Sequence, residues 1–168
     1  MHHSEFIYQI CLGLAIKPSS YLELGLREGK TFKKLSKLIP NCVGVDLSPR
    51  NLNDYNRILT MSTNDFFSQN KETFDIIFID ADHKFESVKT DLLNAIKILN
   101  YDGMIFLHDT DPEADFLLQP RYCNDSYRIL KYIYEELPEL TQITLPVTEA
   151  GLTIVKRKGD SRVKTFKP

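Results

Sequence analysis

The sequence has no apolar run approaching the roughly 20 residues that a membrane-crossing helix needs, which excludes an integral membrane protein of that kind. Cysteine is scarce: Cys11, Cys42 and Cys123 are odd in number and no two are close in the chain. Neither a disulfide framework nor a cysteine-based zinc site fits, and the thiols are expected to be buried in a reducing compartment. The first residues, Met1-His2-His3-Ser4-Glu5, lack the positive charge of a signal peptide, so a cytoplasmic location is expected. Repeats, linkers and low-complexity segments are missing too. A chain of 168 residues supports one real core and is too short for two, so residues 1–168 are expected to form one domain.

What charge there is lies unevenly. Between Lys156 and Pro168, six Lys/Arg stand against Asp160 alone, so the remainder of a chain with formal charge −2 is acidic. An acidic body is a poor general nucleic-acid binder, and a basic tail at 158–168 reads first as a solvated end.

Five β-type runs come first: Tyr21–Leu24, Cys42–Asp46, Arg57–Met61, Phe74–Asp80 and Met104–Leu107, the last preceded by a turn at Asn100-Tyr101-Asp102-Gly103. Phe74–Asp80 is nearly continuous in its apolar residues, as in strands buried on both faces. Helical spacing appears over Ser4–Ile16, stopped by Pro18, and over Thr31–Ile39, Phe85–Leu99 and Ser126–Leu137. Alternating strands and helices imply a doubly wound α/β fold, a mostly parallel sheet with helices on both faces. At the end, Thr141–Val147 and Gly151–Lys156 are separated by only Thr148-Glu149-Ala150. That is too short for a parallel crossover, so an antiparallel hairpin at one edge is expected.

Open α/β sheets bind ligands beyond the carboxyl ends of their strands. Those ends carry Glu23 with Gly25, Asp46, Thr63-Asn64-Asp65, Asp80-Ala81-Asp82-His83, and His108-Asp109-Thr110-Asp111. Acids dominate, and two of the groups contain the only histidines beyond residue 3. The first loop, Gly25-Leu26-Arg27-Glu28-Gly29-Lys30-Thr31, has three residues between its glycines where a phosphate loop has four. A dinucleotide loop would want glycine where Arg27 and Lys30 stand. Glu28 and the acidic rim would repel a pyrophosphate. A cationic ligand without phosphate suits the rim better, and S-adenosylmethionine is one.

Tyr21–Thr31 (Y-L-E-L-G-L-R-E-G-K-T) resembles the glycine-rich first motif of class I S-adenosylmethionine-dependent methyltransferases, in the form common among metal-assisted O-methyltransferases. The resemblance continues through Val43–Asp46, F-D-I-I-F-I-D-A-D-H at 74–83 and G-M-I-F-L-H-D-T at 103–110, and covers about 19–157. It implies a Rossmann-like sheet of seven strands with the terminal hairpin, preceded by a leading helix at 4–16. It implies a cofactor set of Glu23, Gly25, Gly29, Asp46, Thr63, Asn64 and Asp80. In that set the glycines admit the methionine moiety, Glu23 orients loop and ammonium, and Asp46 takes the ribose hydroxyls. A plain strand-to-helix turn would also use the glycines, and a helix N-cap would also use Asp46.

Asp80 and Asp109 end neighbouring strands and are expected to converge on a divalent cation, Mg²⁺ or Mn²⁺. Relatives carry Asp-Asn or Glu-Asp around position 109, whereas this chain reads His108-Asp109-Thr110. The third ligand is therefore open between His108, Thr110 and water, and an imidazole there would favour Mn²⁺, Fe²⁺ or Zn²⁺ over Mg²⁺. His83, three residues after Asp80, matches the general-base position of the antibiotic and sugar O-methyltransferases; a surface helix start is the plainer reading. The segment Asp111–Asp125 is the longest non-helical stretch, and is either a substrate lid using Phe116, Leu117, Arg121 and Tyr122 or an ordinary connection.

The expected activity is therefore transfer of a methyl group to a hydroxyl of a small molecule or sugar, assisted by a divalent cation. A metal-independent N- or carboxyl-methyltransferase and a non-catalytic S-adenosylmethionine-binding module are the alternatives. With 19–157 assigned to the core, no residues remain for a cap domain. Either the pocket is open to a bulky acceptor such as a glycoside, or a second subunit closes it in a homodimer.

Overall fold

The computed structural model describes residues 2–147 and 150–159. Thr148 and Glu149 of the expected hairpin turn lie outside the described residues, as does the basic tail from Asp160 onward. Seven strands form one sheet: β1 (Ser20–Leu24), β2 (Asn41–Asp46), β3 (Ile58–Thr60), β4 (Phe74–Ile79), β5 (Leu99–His108), β6 (Leu140–Leu145) and β7 (Leu152–Arg157). Their order is β3-β2-β1-β4-β5-β7-β6. The first five are parallel, and β7 pairs antiparallel with both β5 and β6. This is the doubly wound sheet with a terminal antiparallel hairpin.

Five α-helices accompany it: α1 (His3–Gly13), α2 (Lys30–Leu35), α3 (Thr63–Gln69), α4 (Phe85–Ile98) and α5 (Ile129–Glu136). Alternation along the strands divides the core in two. Tyr21, Ile76, Phe78 and Phe106 face α1 and α2, where they meet Ile7, Cys11, Phe32 and Leu35. Leu22, Ile77, Ile79, Ile105 and Leu107 face the other side and meet Phe66 of α3, Val88 and Leu92 of α4, and Ile129 and Ile133 of α5. Among the described residues no helix is long and apolar enough to cross a membrane.

Several boundaries depart from the sequence-based expectation. Helix α1 ends at Gly13, before Ile16 and well before Pro18. The chain turns extended at Leu14, and Lys17 Nζ donates to the carbonyl oxygens of Leu12 and Leu14, taking over orphaned helix-end acceptors. Helix α2 stops at Leu35 instead of Ile39; residues 36–39 continue as turns that still bury Ile39. Helix α3 carried no apolar period to announce it, because only Phe66 is buried; Ser62 caps it by accepting the Asp65 N–H at 3.0 Å. The segment expected to be non-helical at 111–125 contains a 3₁₀ turn, Asp115–Leu118, and another at Ser126–Arg128 precedes α5.

The turn expected at Asn100–Gly103 lies inside β5 instead. Phe74 pairs with Leu99 and Ile76 with Met104, so residues 100–103 oppose Asp75 alone and bulge out of the sheet. Asp75 holds the bulge by accepting from Asn100 Nδ2 at 2.7 Å.

The register decides what meets at the carboxyl edge. Leu24 pairs with Val45 and with Ile79, and Ile79 pairs with Leu107. The next residues, Gly25, Asp46, Asp80 and His108, therefore stand in one row across four strands. The row spans the point where the strand order reverses between β1 and β4, the usual ligand crevice of such sheets.

Candidate functional site

Gly25 is the centre of this row. Its φ is +88°, and a Cβ there would stand 2.1 Å from the carbonyl oxygen of Asp80. Only glycine tolerates both conditions, so the loop after β1 can lie directly on the end of β4. Asp46 fixes the same loop from the other side. One oxygen accepts the N–H groups of Leu26 (2.7 Å) and Arg27 (2.8 Å), and the other accepts Ser48 N–H at 2.6 Å. No helix starts at this point, so Asp46 ties two loops together and is not a helix cap.

Three cavities meet at Gly25. The first, of about 460 Å³, is lined by Asp46, Leu47, Met61, Thr63 and Asn64, with Asp91 of α4 opposite. Asp82 and Glu86 add further carboxylates, and no Lys or Arg lines it among the described residues. The second, of about 690 Å³, is lined by Asp80, His83, His108 and Asp109, together with Arg27, Arg121 and Tyr122. The third, of about 300 Å³, has Glu23 and Asp80 together with Arg27, Lys30, His2 and His3. Of the sequence-predicted residues, Thr63 and Asn64 line the first, His83, His108 and Asp109 the second and Glu23 the third, while Asp46 borders the first two and Asp80 the last two. Gly29 lines none of the three. Its φ is +63°, and a Cβ would lie 2.6 Å from the Leu52 side chain, so packing at the start of α2 accounts for it.

In the second cavity, ligand atoms of Asp80, His83 and Asp109 all lie within 4.8 Å of one another. His83 Nε2 stands 3.1 Å from Asp109 Oδ2 and 3.8 Å from Asp80 Oδ1. Its Nδ1 donates to the carbonyl oxygen of Tyr122. Burial opposes charge on His83, but the Asp80 hydrogen bond and the Asp109 charge outweigh it and raise its pKa to about 9. The third member of the group is thus His83, and His108 stands beside it. Its Nδ1 is 3.1 Å from Asp80 Oδ1 and 3.1 Å from Asp109 Oδ1. Its Nε2 is buried with no hydrogen-bond partner, and its ring packs edge-on against His3 at 4.2 Å. Burial disfavours charge on His108 as well, yet Asp80 and Asp109 raise it to about 10. Asp80 is correspondingly held below the usual carboxylate range; its burial works against this, and the charge of His108 overcomes it.

The segment 111–125 reaches into this cluster. Besides the Tyr122 carbonyl, Ser126 Oγ bonds the backbone carbonyls of Asp109 (2.5 Å) and Cys123 (2.7 Å), and Asp125 accepts the Phe85 N–H that opens α4. Leu117, Arg121 and Tyr122 line the second cavity. Phe116 does not; it is half exposed and meets Tyr122 edge-on. Asp109 itself adopts φ +57°, a left-handed conformation that costs a non-glycine residue about 1 kcal/mol and concentrates at functional sites.

Among the lining residues that sequence reasoning missed are His2, His3 and Asp91. His3 opens α1 and His2 caps it, and both line the cavities at the strand ends. Asp91 occupies a core position of α4: Val88, Asp91, Leu92 and Ala95 follow the i, i+3, i+4, i+7 pattern, and an acid in that pattern was the available signal. Its burial raises its pKa to about 6 against a hydrogen bond from Thr63. Glu23 is pushed further, well above the usual range, by complete burial; Tyr21 O–H, donating at 2.5 Å, offsets only part of that.

The sequence pattern of a family described as "Methyltransferase domain" matches residues 22–110, more than half of the chain. No functionally curated protein matches by sequence. Among solved structures, the cofactor-bound protein Rv0187 from MTB superposes with a TM-score of 0.74 at 19% identity, covering 94% of this chain and 80% of that one. An O-methyltransferase from Bacillus cereus, solved in complex with S-adenosylhomocysteine, gives 0.66 at 20% identity, with 93% and 79% covered. The N-methyltransferase NodS from Bradyrhizobium japonicum gives 0.67 at 17% identity, with 94% and 95% covered. The fold is thus common to enzymes that methylate oxygen and nitrogen. The chain belongs to the methyltransferase-domain family and has the Rossmann-like fold of the class I S-adenosylmethionine-dependent methyltransferases.

Proposed function

We propose that this chain transfers a methyl group from S-adenosylmethionine to a hydroxyl of a small-molecule or sugar acceptor, with a divalent cation assisting, in the reducing cytoplasm that suits its three buried thiols. The observation that carries the proposal is the meeting of Asp80, His83 and Asp109 in a cavity that joins the cofactor loop at Gly25.

The residues present fit the cofactor. The first cavity, rimmed by Asp46, Asp82, Glu86 and Asp91, suits a nucleoside without phosphate. Asp46 retains acceptor capacity for ribose hydroxyls, and Thr63 and Asn64 are placed for the base. The third cavity is lined by the acids Glu23 and Asp80 and by the cation of Lys30, which suits an amino-acid zwitterion. A bound ammonium would supply the charge that keeps Glu23 ionised despite its burial.

The donor set also fits a cation. Asp80 and Asp109 would hold it, and when bound it would neutralise both carboxylates and polarise the acceptor hydroxyl, lowering its pKa. With the aspartate charge that raises the His83 pKa thus neutralised, His83 would release its second proton to solvent and then accept the hydroxyl proton at Nε2. Its Nδ1–H is committed to the Tyr122 carbonyl, so Nε2 carries the lone pair in the neutral ring. His108 braces the two carboxylates through Nδ1. Methyl transfer is an in-line displacement, and positioning of the acceptor against the cofactor loop supplies much of the rate.

The grouping of His83 with both aspartates favours one second reading, in which Nε2 is the cation's third ligand, with preference for Mn²⁺, Fe²⁺ or Zn²⁺. Calorimetric titration with Mn²⁺ separates the two. Under the general-base role His83→Ala leaves the affinity within threefold, and under the ligand role it removes binding. Methyl transfer that persists in strong chelator would instead leave the metal-independent N- or carboxyl-methyltransferase standing. No binding of S-adenosylhomocysteine would sink the whole proposal.

A further inference from the structure

The second cavity, which holds the aspartates, is also lined by two arginines, Arg27 and Arg121. Among the described residues Arg57 pairs with Glu72, Arg128 with Asp125, and Arg157 bonds three backbone carbonyls. Neither cavity arginine meets a carboxylate among the described residues. Each is nonetheless held in place. Arg27 adopts φ +49° inside the cofactor loop, where its N–H is fixed by Asp46. A side chain at a position of this backbone shape is strained, and glycine would be free of that strain. The Arg121 guanidinium stacks on the Tyr122 ring at 4.9 Å, and that ring is braced edge-on by Phe116 at 5.8 Å. A stacked guanidinium keeps its N–H fork available and loses little freedom on binding, which suits a planar oxyanion.

We infer that Arg121, supported by Arg27, forms an anion subsite in the acceptor cavity, so that the acceptor carries a carboxylate or phosphate in addition to its reacting hydroxyl. This rests on the methyltransferase reading of the same cavity. The cavity lining combines two kinds of group: Asp80, His83 and Asp109 serve a hydroxyl, and the arginines serve an oxyanion. They are mechanically linked, because the residue after Arg121 gives its carbonyl to His83 Nδ1. An acceptor held at Arg121 is thereby registered against the group that takes its proton. The inference also gives the segment 111–125 a function, as the carrier of the anion-reading residue.

The test is calorimetric titration of the protein saturated with S-adenosylhomocysteine. One probe series is 3,4-dihydroxybenzoate against its methyl ester; the other is glucuronate and glucose 6-phosphate against glucose. The expected result is binding of the anionic member at least tenfold tighter in one or both series. The two charged sugars tell carboxylate from phosphate. Arg121→Gln should bring the anionic probe to the level of its neutral counterpart while S-adenosylhomocysteine binds as in the parent, and Arg27→Gln should weaken the anionic probe in the same sense. Equal binding within each series, no binding of any probe, or a preference that survives Arg121→Gln would overturn the inference. Loss of cofactor affinity with intact anion preference in Arg27→Gln would overturn the two-arginine subsite. Failure of the parent protein to bind S-adenosylhomocysteine at all would instead overturn the methyltransferase reading.

Discussion

His83 and Tyr122 are joined by a hydrogen bond from the imidazole Nδ1 to the backbone carbonyl, across 39 residues of sequence. A carbonyl oxygen only accepts, so one ring proton is on Nδ1; the second sits on Nε2, which faces Asp109 Oδ2 at 3.1 Å, and Nε2 is the nitrogen that would hold the lone pair once a bound cation neutralised the aspartates. A main-chain partner also makes the orientation independent of the side chain at position 122. His83→Ala is expected to lower turnover by about 10²- to 10⁴-fold, the range for removing a general base. S-adenosylhomocysteine affinity should stay within about threefold. Steady-state methyl transfer alongside cofactor titration checks this, and an effect on turnover below threefold would remove His83 from the chemistry.

Gly25→Ala places a methyl group 2.1 Å from the Asp80 carbonyl oxygen at φ +88°. Both atoms belong to backbone, so relief requires the ends of β1 and β4 to separate. Destabilisation of about 3–5 kcal/mol is expected, with loss of cofactor binding. Thermal unfolding and S-adenosylhomocysteine titration read the two effects separately. A variant that melts and binds like the parent would show that the loop does not rest on β4.

Tyr21 O–H is the hydrogen-bond partner of fully buried Glu23. Tyr21→Phe leaves a buried carboxyl oxygen without a donor and should cost about 1–3 kcal/mol in urea unfolding. Glu23→Gln keeps the acceptor and should cost less than Tyr21→Phe, since burial already favours the uncharged carboxyl. The reverse ranking would mean that Glu23 is ionised and paired in the protein without ligand.

Burial pushes the Asp91 carboxyl in the folded protein up from its ordinary value of 3.8 to about 6. The folded state therefore holds a proton more tightly than the unfolded chain. Stability contributed at this site falls as pH rises from about 4 to about 6, and the penalty is complete above that. Asp91→Asn, which keeps an oxygen for Thr63, should stabilise the protein by about 3 kcal/mol at pH 8, from roughly two units at 1.36 kcal/mol each, and by little near pH 4. Denaturant unfolding at the two pH values checks it; a pH-independent difference would place the cause elsewhere than ionisation.

Much of the fold is carried by local pattern. The apolar run of β4, the period of α4 and the short connection before β7 each specify one element, because burial on a strand or helix depends on residues two to four apart. The elements that local pattern misplaced depend on distant partners. The bulge at 100–103 exists because Asp75, on another strand, accepts from Asn100. Helix α1 ends where Lys17 reaches back to its carbonyls. Helix α3 buries a single residue and so leaves no period to detect.

The site divides in the same way. Scarce cysteine, the missing apolar spans and the acids at successive strand ends are properties of the sequence alone. They suffice for a phosphate-free, cationic cofactor and for a carboxylate pair at Asp80 and Asp109. Only the tertiary structure decided that His83 joins that pair while His108 braces it, that Gly29 packs on Leu52, and that His2, His3 and Asp91 line the cavities. The reason is geometric. Sequence specifies which residue ends each strand, but strand register, and a carbonyl supplied 39 positions away, determine which ring nitrogen faces which carboxylate.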